Sequence, residues 1–351
     1  MKFFREVVRE MDGYVPGEQP RDRRTIKLNT NENPYPPSPR VLDALQAAVG
    51  EDLRLYPRPM ADDLRERAAR VYGVRPESVL AGNGSDDLLA ILVKACVGPG
   101  DRVAYPTPSY SLYDALVTLQ EGKAVRVAFG DDFALPQELV AIDARLIFLC
   151  NPNSPSGTQI LPEKIRSILE RPDRLVVVDE AYVDFAESSC LSLLKEYSNL
   201  VILRTLSKSF SLAGMRIGLA LGAPQVISML AKVKDSYNVN RLSIVAGVAA
   251  LRDLRWMEAN VRRIRKTREM LSAGLADLGF RVLPSQANFV LARRPGCDLG
   301  PFYERIKRRG ILVRYFPTPE LRDSLRITVG TDEEIRTLLR VLTQLREHDE
   351  K

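Results

Sequence analysis

The sequence predicts an α/β fold with a mostly parallel central sheet flanked by helices, followed by a smaller α+β domain at its C-terminal end. Three observations predict it. Between residues 75 and 221, apolar runs of strand length alternate with helical stretches, the pattern of strand–crossover–strand units. Two of those runs, Leu175–Asp179 (LVVVD) and Leu200–Arg204 (LVILR), are apolar at nearly every position, as strands buried on both faces must be. Beyond residue 240 the texture changes to long helical stretches and then short strands. The expected division is an N-terminal arm over 1–40, a large domain over 41–240 and a small domain over 241–351.

Taken in order, residues 1–40 hold Pro16, Pro20, Pro34, Pro36, Pro37 and Pro39, so they read as an extended lead-in rather than a packed element. Helices are expected over Val41–Val49 and Asp62–Tyr72, the latter from the helix-favouring run DDLRERAAR. Strand Val79–Ala81 precedes helix Asp86–Val97, and strand Arg102–Tyr105 precedes helix Leu112–Gln120. Ala124–Ala128, Leu146–Cys150, Leu175–Asp179, Leu200–Arg204 and Ile217–Leu221 complete the strands of the large domain. Residues 241–278 carry few helix breakers and read as one or two long helices. Strands Arg281–Leu283 and Asn288–Ala292, helix Leu299–Arg309, strands Ile311–Tyr315 and Leu325–Val329 and helix Asp332–Leu345 follow.

Composition narrows the chemistry. The chain has one histidine, His348, in the charged tail EHDEK, so histidine-based nucleophilic triads and the common zinc sites lose their usual residue. Acid–base work falls to Lys, Asp, Glu, Tyr or a cofactor. Cys96, Cys150, Cys190 and Cys297 form no C-x-x-C pair and read as reduced thiols. The first ten residues lack the apolar core of a signal peptide, and no window reaches the apolar length of a membrane helix. A cytoplasmic protein with no membrane partner is expected. The net charge of +6 is spread along the chain without zinc-finger spacing or an RNP-like aromatic motif, so no nucleic-acid partner is expected. The arginine excess suits small anionic substrates.

Five polar clusters carry the candidate chemistry. Thr205–Arg216 (TLSKSFSLAGMR) follows a strand and sets Lys208 among small residues. A lysine there can form a Schiff base with an aldehyde cofactor, and Ser207 and Arg216 suit a phosphate; the bland reading is a surface loop lysine. Asp179 ends a buried strand in VVVDEAY, with Tyr182 three residues on. It is either a helix N-cap or the acidic partner of a protonated ring nitrogen. Ala81–Leu89 (AGNGSDDLL) runs from strand through glycine turn to helix, where Ser85 and Asp86 begin a helix able to bind phosphate, or simply cap it. Tyr110 ends YPTPSY and is able to stack on a flat ring. Asn153 and Ser154 sit in the rigid turn NPNSPSGT. Each cluster is ambiguous alone. Each also follows a predicted strand at its carboxyl end, where open α/β sheets bind ligands.

With these residues in place, the chain resembles the class II aminotransferases dependent on pyridoxal phosphate (PLP), of fold type I. The segments YVPGEQP, LNTNENPYPPSP, YPRP, GNGSDD, PTPSY, NPNSPSGT, VVVDEAY, RTLSKSFSLAGMRIG, QANFVLAR and LRITVG carry the resemblance over nearly the whole chain. TLSKSFSLAG is the most specific of them, and NENPYPPSP with PGEQ points to the histidinol-phosphate branch.

The resemblance implies PLP attached to Lys208, its ring nitrogen on Asp179, its phenolic oxygen on Tyr182 and its ring against Tyr110. Ser85, Asp86, Ser207 and Arg216 would hold the cofactor phosphate, with Tyr56 reaching it from the other subunit of a homodimer. Arg326 would bind the carboxylate of glutamate or 2-oxoglutarate, and Tyr14 and Arg314 the substrate phosphate. One departure stands out: where the family commonly carries Asn in N-P-T-G, this chain has Ser154 with Asn153 before it, and either could serve. The implied reaction is ping-pong transamination between histidinol phosphate and 2-oxoglutarate in histidine biosynthesis. Transamination of aromatic amino acids and decarboxylation of a phosphorylated amino acid are the alternatives on the same scaffold. A sensing domain of a transcriptional regulator is the alternative of another class, but the residues before Tyr14 leave no room for a helix-turn-helix.

Overall fold

Val176, Val177 and Val178 are all fully buried, the first and third in one core and the second in another. Successive side chains of a strand point to opposite faces, so this strand lies in a sheet covered on both sides. The computed structural model describes residues 3–13, 16–20, 22 and 24–347. Its strands are β1 (Ile26–Lys27), β2 (Val79–Gly82), β3 (Arg102–Thr107), β4 (Lys123–Ala128), β5 (Leu146–Cys150), β6 (Leu175–Asp179), β7 (Leu200–Thr205), β8 (Gly218–Gly222), β9 (Arg281–Val282), β10 (Phe289–Arg293), β11 (Ile311–Leu312), β12 (Arg314–Tyr315) and β13 (Ser324–Thr328).

Seven strands form the large sheet in the order β2-β8-β7-β6-β5-β3-β4. It is parallel except for β8, which runs antiparallel to both β7 and β2. That reversal has a consequence for the site. The loop 206–217 leaves and re-enters the sheet at one edge, because Thr205 pairs with Gly218. Gly82, at the end of β2, pairs with the same Gly218. The carboxyl ends of β2, β3, β5, β6 and β7 therefore share one edge with both ends of that loop.

A second, antiparallel sheet has the order β12-β13-β10-β9 and packs Phe289, Leu325 and Ile327 against the long helix Leu254–Asp277 and the closing helix Asp332–Glu347. Residues 241–278 form two helices, Arg241–Ala250 and Leu254–Asp277. The first packs Ile244, Ala246 and Ala249 into the core of the large sheet beside Val41 and Leu64, so by packing the chain leaves that layer only after Leu251. No described helix is long and apolar enough to cross a membrane.

Most expected elements appear within a residue or two of their expected ends. Helices Glu138–Ala141, Pro162–Leu169 and Pro224–Ala231 were not expected. For the last two, a proline at the first helical position was the available signal. The run 311–315 is two short strands: Ile311 and Leu312 pair with β1, and Arg314 and Tyr315 with β13.

The lead-in also differs from its expectation. Glu6–Glu10 is a short helix, and residues 26–33 are packed. β1 pairs in parallel with β11, Leu28 is 1% exposed within the small-layer core, and Asn29 and Asn31 are buried. The physical reason lies between the prolines. Residues 21–33 contain none, so their N–H groups can pair, as Ile26 N does with Gly310 O (2.9 Å) and Leu28 N with Leu312 O (2.7 Å).

Candidate active site

One cavity of about 530 Å³ opens where the large-sheet edge, the lead-in and the small layer meet. Its wall includes Ser85, Asp86, Tyr110, Ser154, Asp179, Tyr182, Ser207, Lys208, Arg216, Arg314 and Arg326. Five separate strand ends thus deliver their polar clusters to one place, as their common edge requires.

Lys208 lies on the loop after β7, and its Nζ donates to Thr30 O (3.3 Å). Burial pushes its pKa down to about 8, the nearby charge of Arg326 adds to this, and Glu32 and Asp86 oppose it. Burial disfavours the ammonium, so a substantial fraction of the amine is neutral near pH 8. Asn33 Nδ2 donates to the carbonyls of Lys208 (3.0 Å) and Ser209 (3.1 Å), tying the lysine backbone to the lead-in.

Asp179 ends β6, 3% exposed. Burial, and then the charge of Asp86, raise its pKa to about 7. The Ala181 N–H (3.2 Å) and the Tyr113 hydroxyl (3.3 Å), both donating to it, pull the other way. A cationic ring nitrogen would be a further strong pull toward the ionised form. Tyr113 is fully buried, stacked on Phe148 (4.7 Å) and edge-on to Tyr110 (5.7 Å). Sequence reasoning missed it, although it stands one helical turn from Tyr110. Tyr110 donates to Asp86 Oδ1 (3.0 Å).

An anion cradle occupies one end. Gly84 (φ +85°) caps the helix Ser85–Cys96, whose first residues Ser85 and Asp86 line the cavity, and a helix start favours negative charge. Arg216 reaches Asp86 Oδ2 (3.3 Å) and Ser207 Oγ (3.4 Å). There is no room for a side chain behind this turn. A Cβ on Gly84 would stand 2.4 Å from Arg216 Nη2, and one on Gly218 would stand 2.4 Å from the Gly84 carbonyl carbon. The cradle, the amine of Lys208 and the carboxyl of Asp179 fit a flat aromatic aldehyde bearing a phosphate.

The opposite end belongs to the small layer. Arg314 and Arg326 are direct partners across β12 and β13 and both line the cavity, so its wall there carries two guanidinium groups suited to an anion. Arg326 donates to Ser154 Oγ (3.0 Å) and Asn29 O (3.0 Å), and Arg314 to Pro16 O (3.3 Å). The Phe316 ring lies near both guanidinium groups, at 5.2 Å and 5.5 Å.

Two of the expected residues lie away from this cavity. Asn153 is 1% exposed and faces away from the cavity: its amide donates to Pro108 O (3.2 Å) and Ser156 Oγ (2.9 Å) and accepts from Ser109 Oγ (3.0 Å). Its side chain is committed to holding the turn, and Ser154 is the one that lines the cavity. Tyr56 does not line the cavity of its own chain. It is 78% exposed and stacks on Tyr237 (4.4 Å). Tyr14 lies outside the described residues. Conversely, sequence reasoning gave no role to Thr30, Asn31, Glu32 and Asn33, although NENPYPPSP marks that stretch.

Known proteins similar to this chain are aminotransferases. The family "Aminotransferase class I and II" matches residues 23–342. The chain is 44% identical over 345 residues to histidinol-phosphate aminotransferase 1 of Trichormus variabilis, covering 98% of this chain and 99% of the relative. It is 45% identical over 346 residues to the histidinol-phosphate aminotransferase of Synechocystis sp., covering 99% of each. Among solved structures, histidinol-phosphate aminotransferase from Sinorhizobium meliloti in complex with pyridoxal-5'-phosphate superposes with a TM-score of 0.90 at 28% identity, over 99% of this chain and 98% of that one.

Proposed function

The chain belongs to the class I and II aminotransferases, and from that premise we propose that it transfers an amino group between histidinol phosphate and 2-oxoglutarate, with PLP carried on Lys208. One observation carries the reading: a half-buried amine of lowered pKa and a buried carboxyl share a cavity with arginines at each end. Bound PLP supplies an electron sink for the pair left when a proton departs from the substrate's Cα.

The chain's residues do the rest. Lys208 would carry the cofactor, and its lowered pKa suits its free Nζ to hold and move the substrate's Cα proton. Asp179 would keep the ring nitrogen protonated, and its burial would strengthen that pairing. Tyr110 would pack on the cofactor ring and Tyr182 would donate to its phenolic oxygen. Ser85, Asp86, Ser207 and Arg216 would hold the phosphate, Asp86 through its backbone. Arg326 would receive the carboxylate of glutamate or 2-oxoglutarate and Arg314 would help receive the substrate phosphate, each through a guanidinium fork that suits either anion. We place the enzyme in the cytoplasm as a homodimer in which Tyr56, exposed on its own chain, reaches the cofactor phosphate of the other subunit.

A half-reaction tests this. PLP-loaded protein mixed with histidinol phosphate alone is expected to lose its visible band and regain it on addition of 2-oxoglutarate. A band indifferent to histidinol phosphate but bleached by tyrosine or phenylalanine would move the substrate to the aromatic branch.

A further inference from the structure

Residues 28–33 cross between the two layers and reach the middle of the cavity. Asn31 is buried among them with φ +56°, a left-handed conformation that asparagine tolerates better than most residues. Its hydrogen bonds define it fully. The backbone N–H donates to the Thr328 hydroxyl (3.0 Å), and that hydroxyl donates back to Asn31 Oδ1 (3.1 Å). The Asn31 carbonyl accepts from Asn288 Nδ2 (2.9 Å). The amide Nδ2 donates to the Tyr182 hydroxyl oxygen (3.0 Å).

Proton counting fixes which way this amide points. Thr328 is 3% exposed, and its single hydroxyl proton finds an acceptor in Asn31 Oδ1. Turning the amide over would remove that acceptor and press a second N–H on an oxygen that already accepts one. With Nδ2 facing Tyr182, the phenol oxygen is an acceptor on that side, and its own proton must point elsewhere. Tyr182 lines the cavity, and its ring is held edge-on against Phe289 (5.0 Å), so only the O–H torsion is left to choose.

We propose that Asn31 is a positioning residue that fixes Tyr182 as a hydrogen-bond donor into the cavity, toward the phenolic oxygen of the cofactor. The inference rests on the cofactor reading above. Burial pushes the Tyr182 phenol up to about 12, with Arg326, Cys150 and Asp179 the charged or titratable groups around it and Lys208 Nζ 5.8 Å from the ring centre, so the proton to be donated is present at neutral pH. Thr328 orients the amide, and it sits on β13 two residues from Arg326. The strand that carries the anion-binding arginine thus also sets the polarity of the phenol.

The test is a pH titration of the visible band of PLP-loaded protein, read beside the equilibrium dissociation constant for PLP. Asn31→Asp keeps the shape but offers only acceptors, so the Tyr182 proton turns toward it and leaves the cofactor oxygen. The expected result is an upward shift of the titration midpoint by about one pH unit, the scale of one hydrogen bond to a charged oxygen, with PLP bound several-fold more weakly. In a Tyr182→Phe background the same change is expected to add little. Thr328→Val, which loosens the amide without new charge, is expected to shift the midpoint in the same direction by less. An unmoved midpoint in folded, PLP-bearing Asn31→Asp or Thr328→Val protein would overturn the proposal. So would an equal shift with and without the Tyr182 hydroxyl, because the added charge alone would then explain it. A wild-type chain that forms no visible band with PLP would overturn the cofactor reading, and this proposal with it.

Discussion

The two ends of the cavity are built differently. The cradle end comes from successive strand ends of one sheet: Ser85, Asp86, Tyr110, Ser154, Asp179 and Lys208 each lie within a few residues of a carboxyl terminus on the same edge. The arginine end comes from segments far apart in the chain, with Arg326 bonded to Asn29 O and Thr328 to Asn31 across nearly three hundred residues. Rigid strands aim the first set, and a short lead-in strand of two residues anchors the second. The cradle end is therefore expected to control whether cofactor is held and chemistry occurs. The arginine end is expected to control which anion is chosen and at what concentration.

Breaking the cradle end should have the largest effects. Lys208→Ala is expected to abolish covalent PLP attachment and to lower turnover by about 10⁴-fold, read by the visible band and steady-state rate; a normal rate would remove the lysine from its role. Asp179→Ala should weaken PLP binding and cut kcat by roughly 10²–10³-fold, and an unchanged rate would leave the carboxyl with only its turn-holding bond from the Ala181 N–H. Gly218→Ala presses a Cβ on the Gly84–Ser85 backbone. It should cost about 2 kcal/mol of stability and weaken PLP binding, measured by thermal unfolding with and without cofactor.

The arginine end should respond more gently. Arg314→Ala is expected to raise KM for histidinol phosphate about tenfold, a loss near 1.4 kcal/mol, and to change KM for glutamate less. Equal changes would erase the proposed division between the two arginines. The smallest effect links the ends. Below its pKa of about 8, Lys208 loses neutral amine tenfold per pH unit, so attachment of PLP to the free chain should quicken as pH rises and level off above 8. Arg326 is one of the charges that hold this pKa down. Arg326→Leu should therefore move the profile to higher pH by a fraction of a unit, and stopped-flow absorbance of PLP binding would show it.

Much of the cradle end was legible because its information is local. A buried β-branched run followed by Asp179, or a strand followed by TLSK, joins element and side chain in under ten residues, and a parallel sheet places every such junction on one edge. Even there, local reading could not separate Asn153 from Ser154, since which neighbour faces the cavity depends on partners in the Pro108–Ser109 and Ser156 backbone and side chains. The packed stretch 26–33 was hidden by the prolines on both sides of it. Its partners, Gly310 to Leu312 and Thr328, are too distant in sequence for any periodicity to announce them.

By itself the sequence determined the alternation of strands and helices, the lysine and aspartate at strand ends and the exclusion of histidine chemistry, because each follows from residue types within one element. Tertiary structure alone decided the antiparallel return of β8 that folds the lysine loop back against the glycine turn, the pairing of Arg314 with Arg326, and the lodging of Asn31 between Thr328 and Tyr182. Those depend on which distant surfaces bury each other, and burial is a property of the assembled core, which no single segment carries.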